Sequence, residues 1–140
     1  MMTLGIDTIL NTISVSIIKD NKVLVNKVIH RRVGEYKNSL LKLSVTHAQE
    51  IGKIISSALK EARLSIKDII LFAVNNEGSL FSNVIIGAVA ANILSQIYNK
   101  PVIAVKHDEA HIFSNWIERN KTNFNFPIVV FSASGAHTLV

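Results

Sequence analysis

At 140 residues the chain is the size of one domain and long enough to bury a core. It is 49% hydrophobic and 18% charged, with two Pro and six Gly, which excludes a disordered chain; having no Cys, it excludes disulfides and thiolate metal ligands. The net charge of +5 is local, because 19–42 carries seven basic against two acidic side chains and the remainder is balanced. Such a segment suits phosphate contact by counterion release, or simply a solvated Lys-rich hairpin and loop.

The amino-terminal residues show no basic stretch followed by an apolar run, so no signal peptide is expected. Thr3 to Thr8 is apolar and then acidic, and reads as a first strand. Ile13 to Ile18 alternates and reads as a second, and Val23 to Ile29 as a third, with a turn at Asp20-Asn21. Tight turns between the three predict an antiparallel meander. Arg31 to Leu43, with Gly34 and Asn38 and no period, is expected to be a loop.

Ser44 or Thr46 is expected to cap the next helix, with Glu50 in its first turns where the macrodipole favours an anion. Its apolar stripe is Ile51, Ile54, Ile55, Ala58, Leu59 and Ala62. Ile69 to Val74 is a continuous apolar run, predicting a strand buried on both faces. Asn75 to Ser79 is read as a loop. Phe81 to Tyr98 is a helix with no charge, long enough to span a bilayer; its recurring Ser and Asn, with Gly87, Ala88, Ala90 and Ala91, favour a packed core helix. Pro101 to Val105 predicts a short buried strand, followed by a helix from His107 to about Arg119. Asn120 to Asn125 is a loop, and Pro127 to Phe131 a last strand.

His107 and His111 lie four residues apart, on one face of that helix and one turn from each other. They stand just beyond a strand's carboxyl end, where open α/β folds hold ligands. On spacing alone the pair fits a shared metal ion, a solvated first turn, or imidazoles packed on the sheet.

The order β-β-β-α-β-α-β-α-β predicts an α/β fold: a mixed sheet with an antiparallel meander edge, a parallel centre and helices on both faces. That pattern resembles the ribonuclease-H-like half of the actin, Hsp70 and sugar-kinase superfamily. Residues 1–120 would form the amino-terminal half-domain. Residues 121–140 would be a linker and the first strand of a second half.

More specific motifs resemble the catalytic subunit family of tRNA threonylcarbamoyladenosine synthase, formerly called glycoprotease-like. Leu4-Gly-Ile-Asp-Thr8 is similar to the family's opening strand, usually Leu-Gly-Ile-Glu-Thr. Ser44 to Leu64, with His47, resembles its first helix, and Ala73-Val74 with Gly78 and Gly87 its glycine-bearing loop and helix. Val105-Lys-His-Asp-Glu-Ala-His-Ile112 resembles its Val-Asn-His-x-x-x-His-Ile block. Phe126-Pro127 through Ser134-Gly-Ala-His-Thr138 resembles its Val-Ser-Gly-Gly-His-Thr block. The likeness covers the whole chain but less than half of a typical member.

The resemblance implies a threonylcarbamoyltransferase, moving the group from threonylcarbamoyl adenylate to the adenosine beside the tRNA anticodon. It implies that His107 and His111 are two ligands of an iron or zinc ion, and that Ser132, Ala133, Ser134, Gly135 and Ala136 bind substrate. Small residues there let backbone amides approach a ligand closely. Asp7 and Thr8 would lie near the cleft. No catalytic side chain is singled out. The implied partners are tRNA and the other subunits of the synthesis complex, in the cytoplasm and without a membrane.

The departures bear on activity. The family's third metal ligand is an Asp farther along than this chain runs. The Gly-Pro-Gly-Leu turn is Glu77-Gly-Ser-Leu80, the second Gly of Ser-Gly-Gly is Ala136, and Ser-Cys-Asp-Glu-Thr is Ile9-Leu-Asn-Thr12. Lys106 replaces Asn. The chain alone is therefore expected to be inactive. A non-catalytic pairing paralogue of the same complex is the alternative, and a self-associating fragment the third reading. A sugar- or acetate-kinase-like phosphotransferase rests on fold analogy alone, and no Walker-type loop is present.

Overall fold

A computed structural model describes residues 1–31, 40–77, 81–119, 127–134 and 137–139. Strand β1 is Met2–Ile9, β2 Thr12–Lys19 and β3 Lys22–His30; helix α1 is Leu40–Ala62. Then come β4, Leu71–Asn75; α2, Phe81–Tyr98; β5, Val102–Val105; and α3, His107–Ser114. A short hairpin of β6, Ser132–Ser134, and β7, His137–Leu139, ends the described chain.

The main sheet has the order β3-β2-β1-β4-β5. β1, β2 and β3 pair antiparallel, whereas β4 pairs parallel with both β1 and β5. The meander edge and parallel centre are thus as the sequence predicts. Strand alternation sorts the side chains. Leu4, Ile6, Ile13, Val15, Ile17, Val25, Phe72 and Val74 are buried on one face, under Ile51, Ile54, Ile55 and Ala58 of α1 and Ala91 of α2.

Both long helices end on a residue with positive φ, Arg63 at 55° and Asn99 at 50°. The following amides, of Leu64 and Lys100, donate back to Leu59 and Ser95, closing left-handed caps. Close packing holds α2 down. The amide of Gly87 donates to Thr8 Oγ1 at 3.2 Å, and a Cβ at Gly87 would stand 2.7 Å from that oxygen.

Several expectations need correction. Helix α1 begins at Leu40, so Ser44 and Thr46 lie inside it and cap nothing. The helix reaches back this far because Leu43 is buried: it extends the apolar stripe by two turns from Ile51, through His47. The Ser44 hydroxyl instead donates to Asn83 Oδ1 at 2.6 Å, and that of Thr46 to the Lys42 carbonyl. Glu50 is accordingly beyond the first turns and pairs with Arg31. The rest of the expected loop, 32–39, lies outside the described residues, as do 78–80 and 120–126.

Strand β5 is not buried. It is the sheet edge, and Ile103 is 46% exposed. The apolar run from Ile69 to Val74 is buried fully on the core face only, through Ile69, Phe72 and Val74, whereas Ile70 is half exposed and Ala73 half-buried. α3 stops at Ser114, and a turn with Glu118 at φ 60° follows. Residues 128–131 make no strand pairing among the described residues; the strand lies instead at 132–134, where β7 supplies a partner.

α2 is long and apolar enough, by length and composition, to cross a bilayer. Its small face meets β1, β4 and α1, but the outer face is apolar too. Phe81, Ile85, Val89, Ile93 and Ile97 recur every fourth residue and are 40–77% exposed.

His47 occupies a core position of α1 with no exposed surface. Neither ring nitrogen has a hydrogen-bond partner among the described residues. Burial, the largest cause, holds its pKa below the ordinary 6.5; Glu50 pulls it up and Arg31 pushes it down.

This packing has two measurable consequences. Gly87→Ala should cost about 1–3 kcal/mol in urea unfolding, because the added methyl must displace the Thr8 contact; an unchanged midpoint would contradict the close approach. Stability should also fall as pH drops below about 6.5, because the unfolded chain binds a proton that folded His47 resists. Above that pH the imidazole is neutral in both states and contributes no slope. His47→Leu should flatten the decline between about pH 6.5 and 5; an equal slope in both proteins would assign it to other groups.

Candidate functional site

The face of the sheet opposite the core is lined by small side chains. Gly5, Ser14, Ser16 and Ala73 floor a cleft of about 180 Å³, with Asp7, Asn75 and His107 at its polar end. The alternation that buries Leu4 and Ile6 sends Gly5 and Asp7 to this side. It also separates the two residues expected near a cleft. Asp7 lines it, whereas Thr8 is fully buried on the other side, where its hydroxyl donates to the Asn83 carbonyl at 2.8 Å.

β5 delivers the chain to the carboxyl end of the sheet, and α3 starts immediately, with Lys106 as its N-cap residue. His107 and His111 fall on one face, as their spacing predicts. Their Nε2 atoms are 3.0 Å apart, with the rings edge-to-face at 86° and centroids 4.5 Å apart. The His107 side chain is 19% exposed, and His111 is exposed. Asp108 and Glu109 occupy the first turn, where acidic groups complement the helix dipole.

Two nitrogens each about 2.0–2.1 Å from a common metal ion stand roughly 3.0–3.4 Å apart at cis or tetrahedral angles. The observed separation of the two imidazoles fits two such positions. Among the described residues, no group of three or more His, Asp or Glu side chains could hold a metal. The described chain therefore offers two donors and no third.

Behind His107 stands a polar chain that the sequence does not disclose. Asp7 Oδ2 is 3.2 Å from His107 Nδ1, and Asp7 Oδ1 accepts from Asn75 Nδ2 at 2.8 Å. Asn75 is 7% exposed, and its Oδ1 accepts from the Glu77 amide at 3.0 Å. By sequence Asn75 reads as a loop residue; in the structure it closes β4. Its signal is faint: an Asn ending an apolar strand, with an acidic residue at the matching end of the first strand. At the rim, Lys106 Nζ meets Glu77 Oε1 at 3.3 Å, both side chains exposed.

A second polar hub also escapes the sequence. Asn83 is fully buried; its Nδ2 donates to the Leu10 carbonyl at 2.8 Å, and its Oδ1 accepts from Ser44. Of the expected substrate segment, Ser132, Ala133 and Ser134 form β6, paired in register with Leu139, Thr138 and His137. Gly135 and Ala136 lie outside the described residues. The basic segment is partly neutralised, since Lys27 pairs with Glu61 and Arg31 with Glu50.

Residues 42–140 match the family model described as tRNA N6-adenosine threonylcarbamoyltransferase. The chain is 36% identical over 144 residues to the Dictyoglomus turgidum protein of that name, covering 99% of this chain and 42% of the relative. For the Brachyspira hyodysenteriae protein of the same name, identity is 31%, over 100% of this chain and 42% of the relative. The chain thus spans about two-fifths of the length of these curated relatives. Among solved structures, YeaZ from Pseudomonas aeruginosa superposes with a TM-score of 0.62 at 19% identity, over 76% of this chain and 45% of that one. That likeness concerns the fold, which is α/β of the actin-like, ribonuclease-H-like kind.

Proposed function

Because this chain belongs to the tRNA N6-adenosine threonylcarbamoyltransferase family, we propose that it supplies the two-histidine side of a threonylcarbamoyl-transfer site. The observation that carries the reading is the convergence of His107 Nε2 and His111 Nε2 to 3.0 Å at the rim of the small-residue cleft. An iron or zinc ion held by these nitrogens would supply Lewis-acid polarisation of the threonylcarbamoyl group. The third ligand would come from outside the described residues.

The protein's own residues have simpler tasks in this reading. The imidazoles present lone pairs. Gly5, Ser14, Ser16 and Ala73 leave room on the sheet for a bound group. The hairpin of β6 and β7 would bring the backbone of the Ser132 to Ala136 segment to threonylcarbamoyl adenylate. The acceptor would be the adenosine beside the tRNA anticodon, in the cytoplasm. An absence of Cys agrees with a reducing compartment.

A second reading, in which the chain serves as a pairing subunit, draws on the outer face of α2. Phe81, Ile85, Val89, Ile93 and Ile97 form an uncharged row on the surface. Its proposed occupant is the matching helix face of a second chain of this fold, since two uncharged rows can bury each other without stranding a charge.

Equilibrium dialysis should find about one zinc per chain, lost in the His107→Ala, His111→Ala double variant. Equal zinc in both proteins would overturn the metal reading. Grafted in place of the matching part of the Dictyoglomus turgidum relative, the chain should support threonylcarbamoyladenosine formation in tRNA, read by nucleoside mass spectrometry. Persistence of that activity in the double variant would remove the histidines from the site. For the pairing surface, sedimentation should show self-association that Val89→Glu with Ile93→Lys shifts toward monomer without changing the unfolding midpoint by more than a few degrees. A monomer before substitution would reject that surface.

A further inference from the structure

The polar contacts behind His107 favour one polarity when its ring is neutral. A backbone N–H can only donate, so the Glu77 amide fixes Asn75 Oδ1 as its acceptor at 3.0 Å. The Asn75 Nδ2 group must then face Asp7, and it donates to Oδ1 at 2.8 Å. An ionised carboxylate only accepts. Its other oxygen, Oδ2, lies 3.2 Å from His107 Nδ1, and since two lone pairs facing each other at that distance repel, the contact favours a proton on Nδ1. In the neutral ring this leaves Nε2 as a lone pair. That lone pair faces His111 Nε2 at 3.0 Å, so in the absence of an ion His111 donates to it. The first two links are set by a backbone amide, and the neutral ring carries that polarity on to His111.

We propose that Asp7 is a positioning residue, which with Asn75 behind it holds His107 as the Nδ1–H tautomer with Nε2 presented for metal ligation. The inference rests on the metal reading given above. A carboxylate behind a ligating imidazole fixes ring and tautomer and raises its basicity; its loss typically weakens metal binding about 10–100-fold. In this role Asp7 acts through His107 and is not itself a ligand of the ion. It can serve only because β1 places it beside β4, within reach of the first turn of α3.

The substitution that separates this role from plain packing is Asp7→Asn. The amide keeps the size of the carboxylate. Asn75 still presents a donor, so the new amide must turn its oxygen there and its NH₂ toward His107. The imidazole then has to accept at Nδ1 and carry its proton on Nε2. This is the tautomer reversal that an Asp-to-Asn change produces behind the histidine of a serine-protease triad.

Long-range ¹H–¹⁵N correlation on the metal-free chain, recorded at about pH 8, reads the tautomer directly. We expect Nδ1–H for His107 in the parent chain and Nε2–H in Asp7→Asn. Zinc titration should give about 10–100-fold weaker binding for Asp7→Asn, recovered at least in part by Asp7→Glu. An Nε2–H tautomer in the parent, an unchanged tautomer in Asp7→Asn, or equal zinc affinity in the two would overturn the role. Should zinc ignore the His107→Ala, His111→Ala change, the metal reading fails by itself, and the metal-free tautomers still decide what Asp7 does. A circular dichroism melt of each variant separates a lost fold from a lost Asp7–His107 contact.

Discussion

The two-residue alternation of β1 is the constraint on which the rest of the molecule depends. Leu4, Ile6 and Thr8 face α1 and α2, while Gly5 and Asp7 face the cleft. A one-residue slip of this strand would exchange the two sets. It would turn a carboxylate into the core and two large apolar side chains into the cleft. Pairing on both sides guards against that slip, because β1 is antiparallel to β2 and parallel to β4. The parallel register sets Ile6 against Val74, so the next residues along, Asp7 and Asn75, meet side by side. Core burial thus places a polar contact in which the core itself has no part.

The core face has its own polar anchor, and it concerns the helices. Thr8 donates to the Asn83 carbonyl and accepts from the Gly87 amide; Asn83 in turn receives Ser44 and reaches the Leu10 carbonyl. One buried cluster ties the end of β1, the first turns of α1 and the first turns of α2. An unsatisfied polar group at such depth costs about 1–3 kcal/mol, so the cluster is favourable only when complete. Its geometry fixes where α2 starts, and thereby the run of chain into β5 and α3. His47 nearby is the exception, a buried imidazole without a hydrogen-bond partner among the described residues, whose pKa burial holds below the ordinary value.

The elements are legible in the sequence where their signals are periodic. Alternation marks β2, the helical stripe marks α1, and the uncharged run from Phe81 to Tyr98 coincides with α2 to the residue. The His pair is legible because spacing alone decides who shares a helix face. What escapes is set by tertiary context. The start of α1 is hidden because Ser44 has the chemistry of a cap, and only the neighbouring Asn83 shows that it serves the core. β5 reads as buried because it is apolar, and it is exposed because nothing among the described residues lies beyond it. The last strand is displaced because pairing follows an available partner, which hydrophobicity at 127–131 does not supply. Asp7, Asn75 and His107 stand far apart in sequence, so no local pattern joins them.

The same facts explain how α3 can hold two imidazoles in a defined geometry with no buried residue of its own. Packing does not fix this helix. Polar ties at its two ends do. Near its start, His107 meets Asp7; the neighbouring pair of Lys106 and Glu77 is exposed and worth little. Beyond its end, the Val23 amide donates to Glu118 Oε1 at 3.0 Å, and the Glu118 amide to the Asn21 carbonyl at 3.1 Å. Asn21 Nδ2 also reaches the carbonyls of Trp116 and Arg119. The segment therefore runs from the carboxyl end of β5 to the turn between β2 and β3, across the sheet face floored by Gly5, Ser14, Ser16 and Ala73. A helix held this way lies over small side chains without filling the space above them. At Gly5 an added Cβ would stand 2.9 Å from Ser16 Oγ, so the floor beneath α3 is already closely packed within the sheet while the space above it stays open. The small residues and the polar ties are thus two sides of one arrangement, in which a helix is positioned by hydrogen bonds so that the space beneath it stays open.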